Sequence, residues 1–303
     1  MSPINGKSLR PEQPRDKLVA WNEISLQVPG TWEIEQLDKT YLFLGGDGSP
    51  QMELKWTQSP PRSSLETHIK NFVSQCRRQL GITIREEAVP SFFSHPEPGF
   101  EFFFFSWQGG GGDGWGVTVF CCHCRKLSLI RFFDSSCLSP GSPAEQILGS
   151  YSDHPAGSET TWAVFGMKFA LPSAFNLVDY RFQPGSFSLN FACQKTALSV
   201  FSWGPASFLL SKTDLNGFAR QRVPGLLGLA LAGECRKGAF LEWTYREEPF
   251  RGAGRLPGLK MFTRCCVFRI CTDIDENRIF GILTRSSRQF ERGLIRESFL
   301  GDL

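Results

Sequence analysis

Polar and apolar residues alternate along much of this chain, most clearly in Trp21-Asn22-Glu23-Ile24-Ser25-Leu26-Gln27-Val28-Pro29-Gly30-Thr31-Trp32. Alternation places Ile24, Leu26 and Val28 on one face of a strand, and Pro29 closes the ladder because it has no N–H to donate. The same order returns from Trp162 to Leu171-Pro172-Ser173-Ala174-Phe175, with Val164 starting a more apolar segment. In both stretches a Trp opens the segment, a Pro closes it, and an aromatic stands three residues after the Pro. Such a recurrence predicts the first strand and turn of a domain that occurs twice.

Between these stretches the pattern predicts further elements in a definite order. Tyr41-Leu42-Phe43-Leu44 and Met52-Glu53-Leu54-Lys55-Trp56 flank Gly45-Gly46-Asp47-Gly48, which reads as a hairpin. Ser63 with Glu66 forms a capping box, Leu65, Ile69, Phe72, Val73, Cys76 and Leu80 follow at helical spacing, and Gly81 ends the helix. Strands are expected at Ile82-Thr83-Ile84, from Phe100 to Trp107, from Trp115 to Cys124, and from Leu127 to Phe133. The Phe100 strand is apolar on both faces apart from Glu101, so it should be covered on both sides. Ser142-Pro143-Ala144-Glu145 opens a short closing helix carrying Ile147, Leu148 and Tyr151.

The order then repeats. Phe187–Phe191 and Leu198–Phe201 alternate, and a helix from about Lys212 carries Leu215, Phe218 and Ala219 before Pro224 breaks it. Phe240–Tyr245, Met261–Cys271 and Ile279–Leu283 match the later strands of the first half, with Cys121-Cys122 set against Cys265-Cys266. A last helix is expected around Phe290, Leu294 and Ile295. Ordered recurrence of this kind predicts duplication. The expected fold is α+β, with two tandem domains, each an antiparallel β-sheet flanked by α-helices. Residues 1–17 form a flexible arm, 18–151 the first domain, 152–159 a linker and 160–303 the second domain. Residues up to 20 show no periodicity.

The strand ending in Pro, the aromatic three residues on (Pro29 with Trp32, Pro172 with Phe175), the hairpin, the amphipathic helix, the long meander and the closing helix together resemble the PsbP/Mog-type fold. The resemblance covers nearly the whole chain as two copies. It implies one antiparallel sheet per copy with helices against both faces. It also implies binding without catalysis, since that family includes photosystem accessory proteins, nuclear-import factors, bacterial lipoproteins and chaperones for secretion effectors. The chain differs from the exported members in lacking a signal or lipidation Cys near its start, and from most members in being doubled.

Composition narrows the partners. The 303 residues are 41% hydrophobic and 21% charged, globular values, and 28 Phe against 4 Met and 4 Tyr favour strands. A net charge of +3 is too small to make nucleic acid the expected partner. Neither a secretory apolar run behind the basic N-terminus nor a membrane-length apolar run is present, so a cytoplasmic protein without membrane insertion is expected, its 10 Cys as thiols.

Candidate chemistry is sparse. On the expected strand, Cys121 and His123 of Cys121-Cys122-His123-Cys124 face one way and Cys122 and Cys124 the other, so one tetrahedral ion does not easily collect both faces. Buried thiols acting as small hydrophobes are the preferred reading, with no metal and no cofactor. Gly109-Gly110-Gly111-Gly112-Asp113-Gly114 leads into a strand, not a helix, and lacks the Lys-Ser/Thr of a phosphate loop. His68, His95, His123 and His154 are dispersed, and the paired Glu86-Glu87 and Glu247-Glu248 point apart if they lie on strands. No catalytic residue is therefore assigned, and the protein is expected not to be an enzyme. Arg246, Arg251, Arg255, Lys260 and Arg264 crowd the second half and are the candidate partner-binding residues.

The expected function is a cytoplasmic adaptor or chaperone for another polypeptide, a duplicated domain acting as a pseudo-dimer in one chain with a shared groove. The alternatives are a structural subunit of a larger complex or a Cys-dependent metal- or cofactor-binding protein.

Overall fold

In the computed structural model, which describes residues 16–93, 98–110, 112–134, 139–155, 157–227, 233–234, 240–247 and 264–287, the alternating segments become strands of three antiparallel sheets. The chain divides into two units. One holds residues up to Pro155 together with 161–165, and the other holds 156–160 and everything from Gly166 on.

The first unit begins with a hairpin of β1 (Lys17–Trp21) and β2 (Ile24–Val28). Asn22 and Glu23 turn it with φ of 47° and 74°, the left-handed pair whose twist suits a two-residue hairpin. Residues 17–20, which show no periodicity, thus belong to a strand, because Val19, Ala20 and Trp21 have a core to enter. β10 (Glu159–Val164) adds to β1, with Ala163 opposite Ala20 and Trp162 edge-on to Trp21 at 5.4 Å.

The larger sheet takes β3 (Glu33–Asp38), β4 (Tyr41–Gly46), β5 (Ser49–Gln58), β6 (Thr83–Glu86), β7 (Phe100–Gly109), β8 (Gly112–Cys121) and β9 (Lys126–Phe132) in the order β3-β4-β5-β9-β8-β7-β6. Its β7 has apolar side chains on both faces: Phe102 stacks with Phe104 on one, Phe103 with Phe105 on the other. Gly116 is required beside them, since a Cβ there would come within 2.5 Å of the Phe105 ring and 2.8 Å of the Ile130 carbonyl.

One sheet face is covered by α1 (Leu65–Gln75) and the π-helical turn that continues it to Leu80, with Cys76, Ile82, Phe105 and Trp107 at the centre of the contact. Gly81, at φ 64°, ends the helix as its position predicts. The cap is Ser64 and not Ser63: its side chain accepts the Thr67 N–H. Glu53, buried in this sheet, is held by Arg131 and Lys55. Burial alone would raise its carboxyl; the two cations outweigh that and hold it below the ordinary value. α2 (Pro143–Ser150) buries Ala144, Ile147 and Leu148 and packs on β2, and just past it the Tyr151 hydroxyl donates to Ser128 Oγ of β9 at 2.6 Å.

The second unit starts with β11 (Met167–Pro172) and builds its sheet from β12 (Asn176–Gln183), β13 (Ser186–Cys193), β14 (Thr196–Trp203), β15 (Gly233–Glu234), β16 (Phe240–Glu247), β17 (Arg264–Asp273) and β18 (Arg278–Ser286). Their order, β12-β13-β14-β18-β17-β16-β15, repeats the connectivity of the first sheet strand for strand. Between β14 and β15 come α3 (Ala206–Leu209) and α4 (Leu215–Arg222), the latter capped by Asp214, whose carboxylate accepts the Gly217 N–H. Phe218 and Ala219 of α4 reach a core centred on Trp203, Trp243, Phe268 and Leu283.

The Pro-x-x-aromatic turns are equivalent. Trp32 N–H donates to Pro29 O at 3.0 Å and Phe175 N–H to Pro172 O at 2.9 Å. Two other pairings in the sequence are not equivalent. Trp21 directly precedes its turn, whereas Trp162 stands three residues before the matching positive-φ turn at Phe165 and Gly166. Cys121 and Cys122 fall at the end of β8, whereas Cys265 and Cys266 open β17.

The expectation of an α+β fold with helices flanking each sheet is overturned. Of the described residues 55% lie in strands and 16% in helices, so the fold is mostly β. The physical reason is twofold. Lys17–Trp21, Glu33–Asp38 and Asn176–Gln183, left between elements in the sequence, complete sheets as strands. The helical stretches are short, α1 being 11 residues and α4 only 8. The helix expected around Phe290 lies outside the described residues. No described helix is long and apolar enough to cross a membrane, which says nothing about strands.

Candidate functional site

The candidate basic surface is divided by the structure. Arg246 and Arg264 are exposed on neighbouring strands at one end of the β16–β17 ladder, where Glu247 stands opposite Arg264. Arg251, Arg255 and Lys260 lie outside the described residues. Nearby cations are already engaged: Arg269 Nε donates to Glu242 at 2.6 Å and Arg285 Nε to Glu247 at 3.1 Å. Arg264, Arg285 and Lys195 line a shallow concavity.

Chemistry-bearing side chains converge elsewhere, at the turn from β8 to β9. The strand stops at Cys121, and residues 122–124 turn back toward β9, with Arg125 in the left-handed region at φ 57°. The alternation that would send Cys121 and Cys124 to opposite faces therefore does not apply. The Cys124 N–H instead points at Cys121 Sγ, 3.5 Å away, while Arg125 N–H donates to Cys121 O. The turn brings both sulfurs to one side.

Two residues just past α2 complete the group. A pair of backbone hydrogen bonds between Ser25 and Ser152 fixes this segment against β2. It thereby presents Asp153 and His154 to the cysteines. The Cys124 thiol donates to Asp153 Oδ2 at 3.4 Å, Cys121 Sγ lies 3.7 Å from His154 Nδ1, and His154 Nδ1 contacts Asp153 Oδ1 at 2.6 Å. One ligand atom from each of Cys121, Cys124, Asp153 and His154 lies within 4.8 Å of the others. Cys121 and Asp153 are buried, Cys124 and His154 half-buried. Lys126 Nζ, also buried, bonds the Asp153 carbonyl at 2.5 Å and Glu23 at 2.8 Å. Phe100 stacks on the His154 ring.

Burial pushes the Cys124 thiol up to about 12; the neighbouring Asp153 adds to the rise and the Lys126 backbone N–H works against it. Without a cation, this sulfur keeps its proton. Two sulfurs, an imidazole nitrogen and a carboxylate are the donor set of a tetrahedral metal site. The expected dispersal of the histidines fails here: His154 joins the cysteines, and His123 lies 6.3 Å from it, ring to ring. Cys121-x-x-Cys124 carries a metal-loop spacing that the assumption of a continuous strand concealed. Of the other histidines, His68 on α1 bonds Ser59 at 2.8 Å, and His95 is outside the described residues.

A second feature lies in the second unit. Asn277, in the turn between β17 and β18, accepts the Ala206 N–H on its carbonyl at 2.7 Å and the Ser207 N–H on Oδ1 at 2.8 Å. Its own N–H donates to the Ile274 carbonyl. The turn and α3 are thereby fastened together, and each holds out one large apolar side chain. Phe208 is 75% exposed and Ile274 87%.

No family model and no curated protein matches the chain. A solved structure described as MucB in complex with MucA(peri) aligns with 91% of this chain and 80% of its own at 11% identity, with a TM-score of 0.19. A likeness of that size carries no argument about fold or function.

Proposed function

We propose that the protein is a non-enzymatic adaptor or chaperone that binds another polypeptide. The observation that carries this reading is the pair Phe208 and Ile274. Exposed apolar side chains on floppy loops are unremarkable, but here α3 and the turn are cross-fastened through Asn277, so the two side chains are held in water by ordered backbone. Burying these two side chains on a partner would recover hydrophobic free energy that folding leaves unused, which supports a contact site there. The duplicated sheet order is in keeping with a binding protein, one unit being free to specialise while its counterpart keeps the fold.

The test uses the tagged full chain as bait in lysate of its native host, with recovered proteins quantified for the wild type, the double variant Phe208→Asp/Ile274→Asp, and Val89→Asp as a control at another exposed apolar residue. A polypeptide held through this surface should fall about tenfold or more in the double variant, a gap of about 1.4 kcal/mol, and stay in the control. Equal recovery with all baits would overturn the reading. A partner retained by the double variant but lost from Arg246→Glu/Arg264→Glu would move the site to the basic surface.

A further inference from the structure

We propose that Cys121, Cys124, His154 and Asp153 bind a zinc ion in the first unit. The spacing of the donors supports this. With ordinary zinc–sulfur, zinc–nitrogen and zinc–oxygen distances, the edges of the coordination tetrahedron that join sulfur to nitrogen or oxygen are about 3.6 Å long. The observed separations are 3.7 Å between Cys121 Sγ and His154 Nδ1 and 3.4 Å between Cys124 Sγ and Asp153 Oδ2. An ion at the centre therefore needs little movement of either pair. The one contact that must open is His154 Nδ1 to Asp153 Oδ1, now 2.6 Å. Binding exchanges that hydrogen bond for bonds from nitrogen and carboxylate to the metal: the proton between Nδ1 and Asp153 leaves, the neutral imidazole keeping one on Nε2, and the two thiols release theirs to solvent.

The surroundings suit a bound cation. Cys121 and Asp153 are buried, which shields the donors from water. The Cys124 N–H directed at Cys121 Sγ, 3.5 Å away, helps fix the position of that donor. Two thiolates and a carboxylate offset the charge of the ion, and the buried Lys126 ammonium, paired with Glu23, also bonds the Asp153 carbonyl and so holds that residue in place. The paired thiolates with imidazole select zinc over calcium, magnesium or manganese, which prefer all-oxygen ligands. All four protein donors are used, which is the closed pattern of a structural and not a catalytic site. Its role is to fasten residues 153–154, just past α2, to the β8–β9 turn.

The test is made on the full chain, purified without chelator and kept reduced. Zinc and iron are measured, the metal is stripped, and cobalt(II) is titrated back as a spectroscopic stand-in. The expected result is near-stoichiometric zinc, the visible absorption of tetrahedral thiolate-bound cobalt, and a rise in melting temperature on zinc addition. Cys124→Ser and His154→Ala should weaken cobalt binding about 100-fold or more. Cys122→Ser, on an exposed thiol of the same turn, should leave it unchanged. His154 is partly exposed, so its replacement should fold even if the cysteine variant does not. Equal cobalt binding by His154→Ala, Cys122→Ser and the wild type would overturn the site, as would absence of the thiolate absorption in fully reduced wild type. Stoichiometric iron without zinc would overturn the assignment of the metal.

Discussion

Single buried thiols in the second unit should make its stability fall at alkaline pH. Cys271 is 4% exposed, and burial pushes its thiol up to about 12 from 9.0; Asp273 adds to the rise and the Phe280 backbone N–H reduces it. A thiol that ionises more readily in the unfolded chain than in the folded one stabilises the fold fully below pH 9.0, and that contribution is lost as pH climbs toward about 12. In that window the loss is on the order of 1 kcal/mol per pH unit. Cys266 behaves the same way over a narrower range, its thiol pushed up to about 11, first by burial and then by Glu247. Urea unfolding at a series of pH values from about 8 to 11 should therefore show falling stability, with a shallower fall in Cys271→Ala. Equal slopes would mean that other groups set the alkaline limit.

At the scale of elements, what the sequence disclosed depended on whether a local rule kept its premise. Proline closure did: Pro29 and Pro172 end their strands and start the same turn, since a missing N–H acts wherever the residue sits. The capping motif was legible one residue out of place. Ser63 with Glu66 has the right spacing, but Ser64 supplies the oxygen that meets Thr67 N–H. Ser64→Ala should accordingly cost about 1 kcal/mol in urea unfolding, while Ser63→Ala should cost less than about 0.5 kcal/mol. The reverse order would restore the sequence-derived cap. Edge strands such as Glu33–Asp38 were illegible, because a strand exposed along much of its length shows little apolar alternation and draws its order from a neighbour's backbone. The candidate metal site was half legible. Cys121 and Cys124 announce a spacing, but whether they share a side depends on where β8 stops. Asp153 and His154 are brought to them by tertiary structure that no window of sequence contains.

At the scale of the molecule, the two units are interleaved along the chain: residues 156–160 belong to the second, yet 161–165 return to the first. Trp162, Ala163 and Val164 are all buried, and Ala163 pairs with Ala20. A chain ending at Phe165 should therefore resist urea better than one ending at Pro155, by about 3 kcal/mol or more if these side chains are buried as they are here. Trp21 fluorescence should report a wetter indole in the shorter chain. Equal stability would show that β10 is dispensable to the first unit. The interleaving also bears on how the protein comes into being. Domains emerge from the ribosome in order and tend to fold as they appear. Here the earlier one stays incomplete, its β1 still waiting for β10, until the nascent chain has already entered the later one. A translational pause near Pro155 would leave a half-finished domain with Trp21 uncovered, so the timing of synthesis across this short segment decides how long that apolar edge is open to nascent-chain chaperones.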